Sequence, residues 1–125
     1  MAEGNVELVK GAYDAFGRGD IPGVLAILSD DVEWNVPAVL PHGMKVRGRD
    51  QVVGFFERLG SLWDGIQLDI EDFCASGDRV CVIGKASGTY SGGAAGFGFV
   101  HAWTVRDGKG ARFDEYVDPG PELLA

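Results

Sequence analysis

Apolar residues recur at helical spacing over the first half of the chain and at strand spacing over the second. Val6, Val9, Tyr13 and Phe16 form one stripe, as on a helix running from about Glu3 to Arg18. Glu3 and Glu7 near its start and Arg18 at its end suit the helix dipole, and Gly17 and Gly19 end it. Asp20 reads as the N-cap of a second, shorter helix with Pro22 in its first turn. That helix carries Val24, Leu25, Ile27 and Leu28 and is closed by Ser29-Asp30-Asp31. Val32 to Val36 is a short strand stopped by Pro37, and 37–47 is a loop containing Pro41-His42-Gly43. A third helix, from Arg49 or Asp50 to about Trp63, puts Val52, Phe55, Phe56, Leu59 and Trp63 on one face.

Beyond Gly65 the period changes to two. Ile66, Leu68 and Ile70 alternate with Gln67, Asp69 and Glu71 in a strand over 66–75. Ser76-Gly77-Asp78 turns the chain, and 80–90 is the partner strand. Residues 91–96 read as a flexible, glycine-rich connection. A third long strand spans 97–106, Asp107-Gly108 is a hairpin turn, and 111–118 is the last strand, stopped by Pro119 and Pro121. Helices first and a meander after define an α+β fold. Strands of about ten residues are long, so the sheet must curve. A curved, antiparallel-rich sheet with the three N-terminal-half helices on its concave face makes a cone with a cavity, the usual place for a small-molecule site. With no repeat and no linker, residues 1–125 read as a single domain.

Strand alternation assigns the faces. If His101 faces the cavity, so do Phe97, Phe99, Trp103 and Val105. On the last strand the apolar choices at Phe113 and Val117 put Glu115 inside, with Arg112 and Asp114 outside; Tyr116 and Asp118 fall on the outer side. Trp34 and Val36 are the inward pair of the first strand. The helices add Tyr13, Phe16, Phe55, Leu59 and Trp63. The expected ligand wall is therefore Trp34, Val36, Phe16, Phe55, Leu59, Trp63, Phe99, Trp103, Phe113 and Val117. His42, in its proline-glycine loop, stands near the mouth and reads as solvated. The few polar groups carry the candidate chemistry. The hairpin makes His101 and Glu115 diagonal neighbours, roughly 7–8 Å apart at the backbone and inside side-chain reach. A carboxylate beside an imidazole in a dry pocket orients the ring and tunes its basicity. His101 as acid or base, Glu115 as its partner and Tyr13 as a hydrogen-bond donor to a carbonyl oxygen would suit proton transfer on a carbonyl compound. The same pair also fits a satisfied buried contact without chemistry, and a one-residue bulge would turn Glu115 outward.

Composition narrows the classes. A net charge of −8 repels phosphate backbones and anionic membranes, so neither nucleic acid nor a membrane surface is an expected partner. The first residues lack the basic and apolar regions of a signal peptide, and no apolar run comes near the roughly 20 residues that span a bilayer. A cytoplasmic location is the expectation. Cys74 and Cys81 fall nearly opposite each other on adjacent strands and read as two small buried hydrophobes, with a cross-strand disulfide open to an oxidised sample. Two histidines are too few for a zinc site, and neither a phosphate loop nor a Gly-x-Ser-x-Gly elbow occurs. No cofactor and no metal are expected.

Several segments carry a likeness in order and spacing: Gly19-Asp20-Ile21-Pro22-Gly23-Val24, Leu28-Ser29-Asp30-Asp31-Val32-Glu33-Trp34, Val46-Arg47-Gly48-Arg49-Asp50, Ser76-Gly77-Asp78-Arg79-Val80 and, most specific, His101-Ala102-Trp103-Thr104-Val105-Arg106-Asp107-Gly108-Lys109. Together they resemble the nuclear transport factor 2-like superfamily, in its SnoaL-like and ketosteroid-isomerase-related branch, over nearly the whole chain. The resemblance implies a cone-shaped α+β barrel and a homodimer joined through the sheet. Fold alone does not fix function. The tyrosine, base and second-acid positions of the ketosteroid isomerases fall here at Ala12, Val36 and His101, so that triad is largely missing. In SnoaL-like cyclases an acid–base residue sits on the later strand, where this chain has His101. The aspartate–arginine–aspartate set of the related epoxide hydrolases finds no inward positions. The expected function is binding of a small hydrophobic molecule in an aromatic pocket, with cofactor-independent isomerisation or cyclisation of a carbonyl compound. The alternative is a non-catalytic small-molecule binding or dimerisation domain.

Overall fold

A computed structural model describes residues 2–124. The elements are α1 (Ala2–Gly17), α2 (Ile21–Ala26), β1 (Leu28–Val36), β2 (Met44–Arg47), α3 (Arg49–Leu62), β3 (Trp63–Ser76), β4 (Arg79–Tyr90), β5 (Gly93–Arg106), β6 (Lys109–Pro119) and α4 (Pro121–Leu124). The α+β class follows, with three helices ahead of a meander. Asp20 caps α2 as its sequence predicts, accepting from the Gly23 amide at 3.0 Å.

Six strands form one curved sheet in the order β2-β1-β6-β5-β4-β3. Neighbours are antiparallel except β1 and β6, which run parallel. β2 and β3 are free edges, so the sheet curls without closing into a barrel. Bulges between Asp64 and Gln67 and between Ile70 and Asp72 bend β3 and tighten its twist. At Gly84 the curl leaves no room for a side chain: a Cβ there would lie 2.5 Å from the Asp69 carbonyl and 2.8 Å from the Phe99 ring.

The helices cover the concave side. α1 lies over β3 and β4, α3 over β1, β2 and β3, and α2 touches both α1 and α3. Val9, Val32, Val36, Val52, Val80 and Val82 are fully buried between the layers. Among the described residues no helix is long and apolar enough to cross a membrane.

Four local expectations are corrected. Ser29-Asp30-Asp31 does not close α2 but belongs to β1. The Arg49 guanidinium bonds the Leu28 carbonyl at 3.0 Å and Asp30 at 2.6 Å, which holds this stretch extended. The glycine-rich connection at 91–96 is instead a two-residue turn. Ser91 and Gly92 take φ values of 54° and 83°, the positive values that a tight hairpin needs, and pairing resumes at Gly93 with Tyr90. The loop before α3 contributes the edge strand β2, whose four residues pair with β1. Cys74 and Cys81 are register partners but not buried hydrophobes: Cys74 is exposed, Cys81 half-buried, and both are free thiols.

Candidate active site

The hairpin of β5 and β6 positions the central pair. Asp107 and Gly108 both take positive φ, 52° and 72°, and the strands leave this turn paired Arg106 to Lys109 and Val105 to Gly110. The register then slips by one residue at Ala111, so that Thr104 faces Arg112 and His101 faces Glu115. His101 and Glu115 are therefore direct cross-strand partners, not diagonal neighbours. The bulge turns Glu115 inward, not outward, because an unslipped register would set Asp114 opposite His101.

His101 Nε2 lies 3.1 Å from Glu115 Oε2, with the two side chains 8% and 6% exposed. Its Nδ1 is 2.5 Å from the Tyr13 hydroxyl, and Trp103 Nε1 donates to the Tyr13 oxygen at 3.0 Å. An indole N–H only donates. With the imidazole neutral, the Tyr13 oxygen accepts from Trp103 and its O–H donates to His101 Nδ1, while His101 Nε2–H donates to the Glu115 carboxylate. Burial raises the Tyr13 phenol above its ordinary range, which keeps that O–H in place. The chain of hydrogen bonds runs from Trp103 through Tyr13 and His101 to Glu115, which accepts. Phe99 stacks on the imidazole at 4.0 Å between ring centres, and Phe113 lies at 4.8 Å. Two expectations change here. Tyr13 is committed to His101 and has no O–H left for a ligand carbonyl. Both nitrogens of His101 are occupied, while no hydrogen bond among the described residues reaches the second oxygen of Glu115.

The pair opens on a chamber of about 70 Å³ between helices and sheet. Of the residues expected on its wall, Tyr13, Phe16, Trp34, His42, Phe55, Leu59, His101, Trp103, Phe113 and Glu115 line it. Val36, Trp63, Phe99 and Val117 do not. Val36, Trp63 and Phe99 are buried in the core and Val117 packs against it, supporting the wall from behind. Phe99 is displaced by the imidazole stacked upon it, and Trp63 by His42. Sequence reasoning missed Ala12, Val24, Phe56, Ile66 and Leu68. The alternation in β3 contained the signal for Ile66 and Leu68, which were placed in the sheet but not on its chamber side. Phe97, named on the inward face of β5, does line the chamber. Phe16, Phe56, Ile66 and Leu68 are half-buried and form its mouth.

His42 is the largest correction. It is 2% exposed, not solvated. The loop winds tightly, with Leu40 N bonded to Pro37 O and Gly43 N to Leu40 O, and Arg58 holds the Pro41 carbonyl at 2.8 Å. This folds the imidazole inward against Phe55, Trp63 and Phe97. Trp63 Nε1 donates to His42 Nδ1 at 3.0 Å. Burial pushes the imidazole down to about 4, against a smaller upward pull from Glu115 and with a small downward push from Arg58.

An open, curled sheet with three helices over its hollow face and a buried imidazole–carboxylate pair beneath them is a nuclear transport factor 2-like architecture. Within it, the chain belongs to the SnoaL-like domain family, which matches residues 9–113. It is similar to a nuclear transport factor 2-like protein of unknown function from Burkholderia pseudomallei, 33% identical, with 92% of this chain and 91% of that one covered and a TM-score of 0.86. It is equally similar in sequence to TerC, whose structure was solved with polyporic acid: 33% identity, 92% of each chain, TM-score 0.83. A candidate polyketide cyclase from Xanthomonas campestris is 28% identical over 94% of this chain and 92% of its own, with a TM-score of 0.81. No curated protein matches the chain.

Proposed function

We propose that this protein binds a small, largely apolar carbonyl compound and moves a proton on it without a cofactor, as an isomerase or cyclase. The observation that carries this reading is the buried His101–Glu115 pair, facing a chamber walled mostly by aromatic and aliphatic side chains. Glu115, with one oxygen uncommitted, is the group that meets the ligand; His101 and Tyr13 hold and polarise it from behind. Glu115 takes a proton from the carbon beside the carbonyl. The C–H electron pair forms the new C=C bond, and the carbonyl π pair moves onto oxygen to give an enolate. Where the ligand carries a C=C bond just beyond that carbon, the enolate is a dienolate, and return of the proton from Glu115 to its far carbon shifts the C=C bond into conjugation and completes an isomerisation. Attack of the enolate carbon on a second carbonyl of the same ligand closes a ring, and the proton passes to the new alkoxide. The likeness to a candidate polyketide cyclase and to TerC with polyporic acid supports an oxygenated ligand of this kind. Ligand pockets for drug-sized molecules are roughly 300 Å³ or larger, so a ligand of two rings must push the mouth residues Phe16 and Phe56 aside.

The test is hydrogen–deuterium exchange at the carbon beside the carbonyl of enolisable aryl ketones in D₂O, followed by NMR. Wild-type protein should accelerate exchange, and Glu115→Gln should slow it by about 10²-fold or more. Ligand-induced thermal stabilisation without any exchange would overturn the catalytic part of this reading. As a further part of the same proposal, the outer sheet face joins two copies, Tyr116 standing 62% exposed upon it. Sedimentation of a monomer at high protein concentration would overturn that part.

A further inference from the structure

Among the described residues, two hydrogen-bond donors in the chamber wall have no acceptor. Trp34 lines the chamber, is 3% exposed, and its Nε1–H is buried without a partner. Its ring is fixed face to face with Phe113 at 4.0 Å and flanked by Phe55 and Trp103, so it cannot turn away to find one. A buried donor left unpaired costs about 1–3 kcal/mol; such groups in a folded protein point to a missing partner. His42 supplies the second donor. Its Nδ1 accepts from Trp63, so the neutral ring carries its proton on Nε2, and no hydrogen bond among the described residues reaches that atom. His42 and Trp34 both pack on the Phe55 ring. The carboxylate of Glu115 lines the same chamber and is an acceptor, so it complements the two donors without satisfying either.

We propose that Trp34 Nε1–H and His42 Nε2–H are the specificity determinants of the chamber, receiving acceptor oxygens of the ligand, so that it selects carbonyl compounds over hydrocarbons of the same shape. A neutral imidazole donates without a full charge, as suits an oxygen that gains negative charge when Glu115 removes a proton. The donors thus serve the proton transfer proposed above, and the inference rests on that reading of the chamber as a ligand site.

The experiment compares two ligands that differ only in C=O against C=CH₂, acetophenone and α-methylstyrene. Dissociation constants are measured by ligand-observed NMR for wild type, Trp34→Phe and His42→Gln. Trp34→Phe keeps an aromatic ring and removes the N–H. It should lower the preference for acetophenone about fivefold to tenfold while leaving or improving α-methylstyrene binding. The infrared band of ¹³C=O-labelled acetophenone bound to wild type, which needs no variant, should lie below its position in an apolar solvent. It should move back toward that position in Trp34→Phe. His42→Gln should shift the band as well, since the donor changes in geometry and strength. An unchanged preference in Trp34→Phe with an unshifted wild-type band overturns the proposal. Failure of both ligands to bind overturns it together with the reading of the chamber as a ligand site. Binding with the expected preference but no deuterium exchange overturns only the catalytic reading.

Discussion

His42 makes the stability of this fold depend on pH between its ordinary value of 6.5 and about 4. In an unfolded chain its imidazole titrates near the ordinary value of 6.5; in the fold it is pushed down to about 4. Between those values the unfolded state binds a proton that the native state refuses, so stability falls as the solution is acidified. The contribution is fully present above pH 6.5, shrinks through the window, and is exhausted below about 4. Each pH unit between the two values costs about 1.4 kcal/mol, which sums to about 3 kcal/mol across the window. The charged groups that act on the ring are Glu115, which favours its protonated form, and Arg58, which opposes it; burial outweighs both. Asp114, held below the ordinary carboxylate range by Arg112 and Asn35 in spite of its partial burial, loses its share only at lower pH. The assay is urea denaturation followed by the fluorescence of the three tryptophans at half-unit steps from pH 7.5 to 4. His42→Gln leaves an amide oxygen for the Trp63 N–H and removes the titration. The variant should be less stable than wild type at pH 7.5, and the two should converge as the pH falls. Parallel loss of stability in both proteins would refute the assignment of a buried neutral imidazole.

Three further outcomes follow from the packing. Gly84→Ala should destabilise the fold by about 2 kcal/mol, seen as a lower urea midpoint, because its Cβ would meet the backbone of Asp69 and the ring of Phe99; an unchanged midpoint would mean that β3 and β4 part easily there. Tyr13→Phe strands the Trp103 N–H and the His101 Nδ1 together and should cost about 1–3 kcal/mol; a neutral effect in thermal melts would break the proposed donor chain. Asp20→Ala removes the bond to the Gly23 amide and should cost about 1 kcal/mol, with Asp20→Asn restoring most of it.

The parts of this fold legible in the sequence are those set by local physics. Helical spacing placed Val9, Val52, Phe55 and Leu59 in the core, where they are buried. Alternation placed Phe97, Phe99, His101, Trp103 and Val105 on one face of β5, and all are buried. The Asp20 cap and the Asp107-Gly108 turn follow from the chemistry of single residues. What local patterns cannot contain is pairing at a distance. The parallel contact of β1 with β6 sets Trp34 against Phe113, and nothing in either segment announces the other. The burial of His42 is hidden from local patterns for a related reason: a proline-glycine loop reads as solvated, and only the contacts of Trp63 and Arg58, from elsewhere in the chain, turn it inward.

The Ala111 bulge joins these two kinds of information. Counting back from the hairpin turn, an unbroken ladder would place Asp114 opposite His101; Glu115 would then point outward, and Tyr116, 62% exposed as it stands, would turn inward. The apolar residues Phe113 and Val117 oppose that register, since it would carry Phe113 out of its stack with Trp34. Burying Phe113 therefore forces the slip, because a shift of one residue exchanges the faces of a whole strand. Gly110 makes the slip sterically possible: a Cβ there would lie 3.1 Å from the Trp103 ring and 3.3 Å from Leu28. The carboxylate of Glu115 reaches the chamber as a consequence of where a phenylalanine two residues away must be buried. The polar centre of the site is thus held in place by the hydrophobic core, and substitutions that weaken the core at Trp34 or Phe113 act on the His101–Glu115 pair through the register of β6.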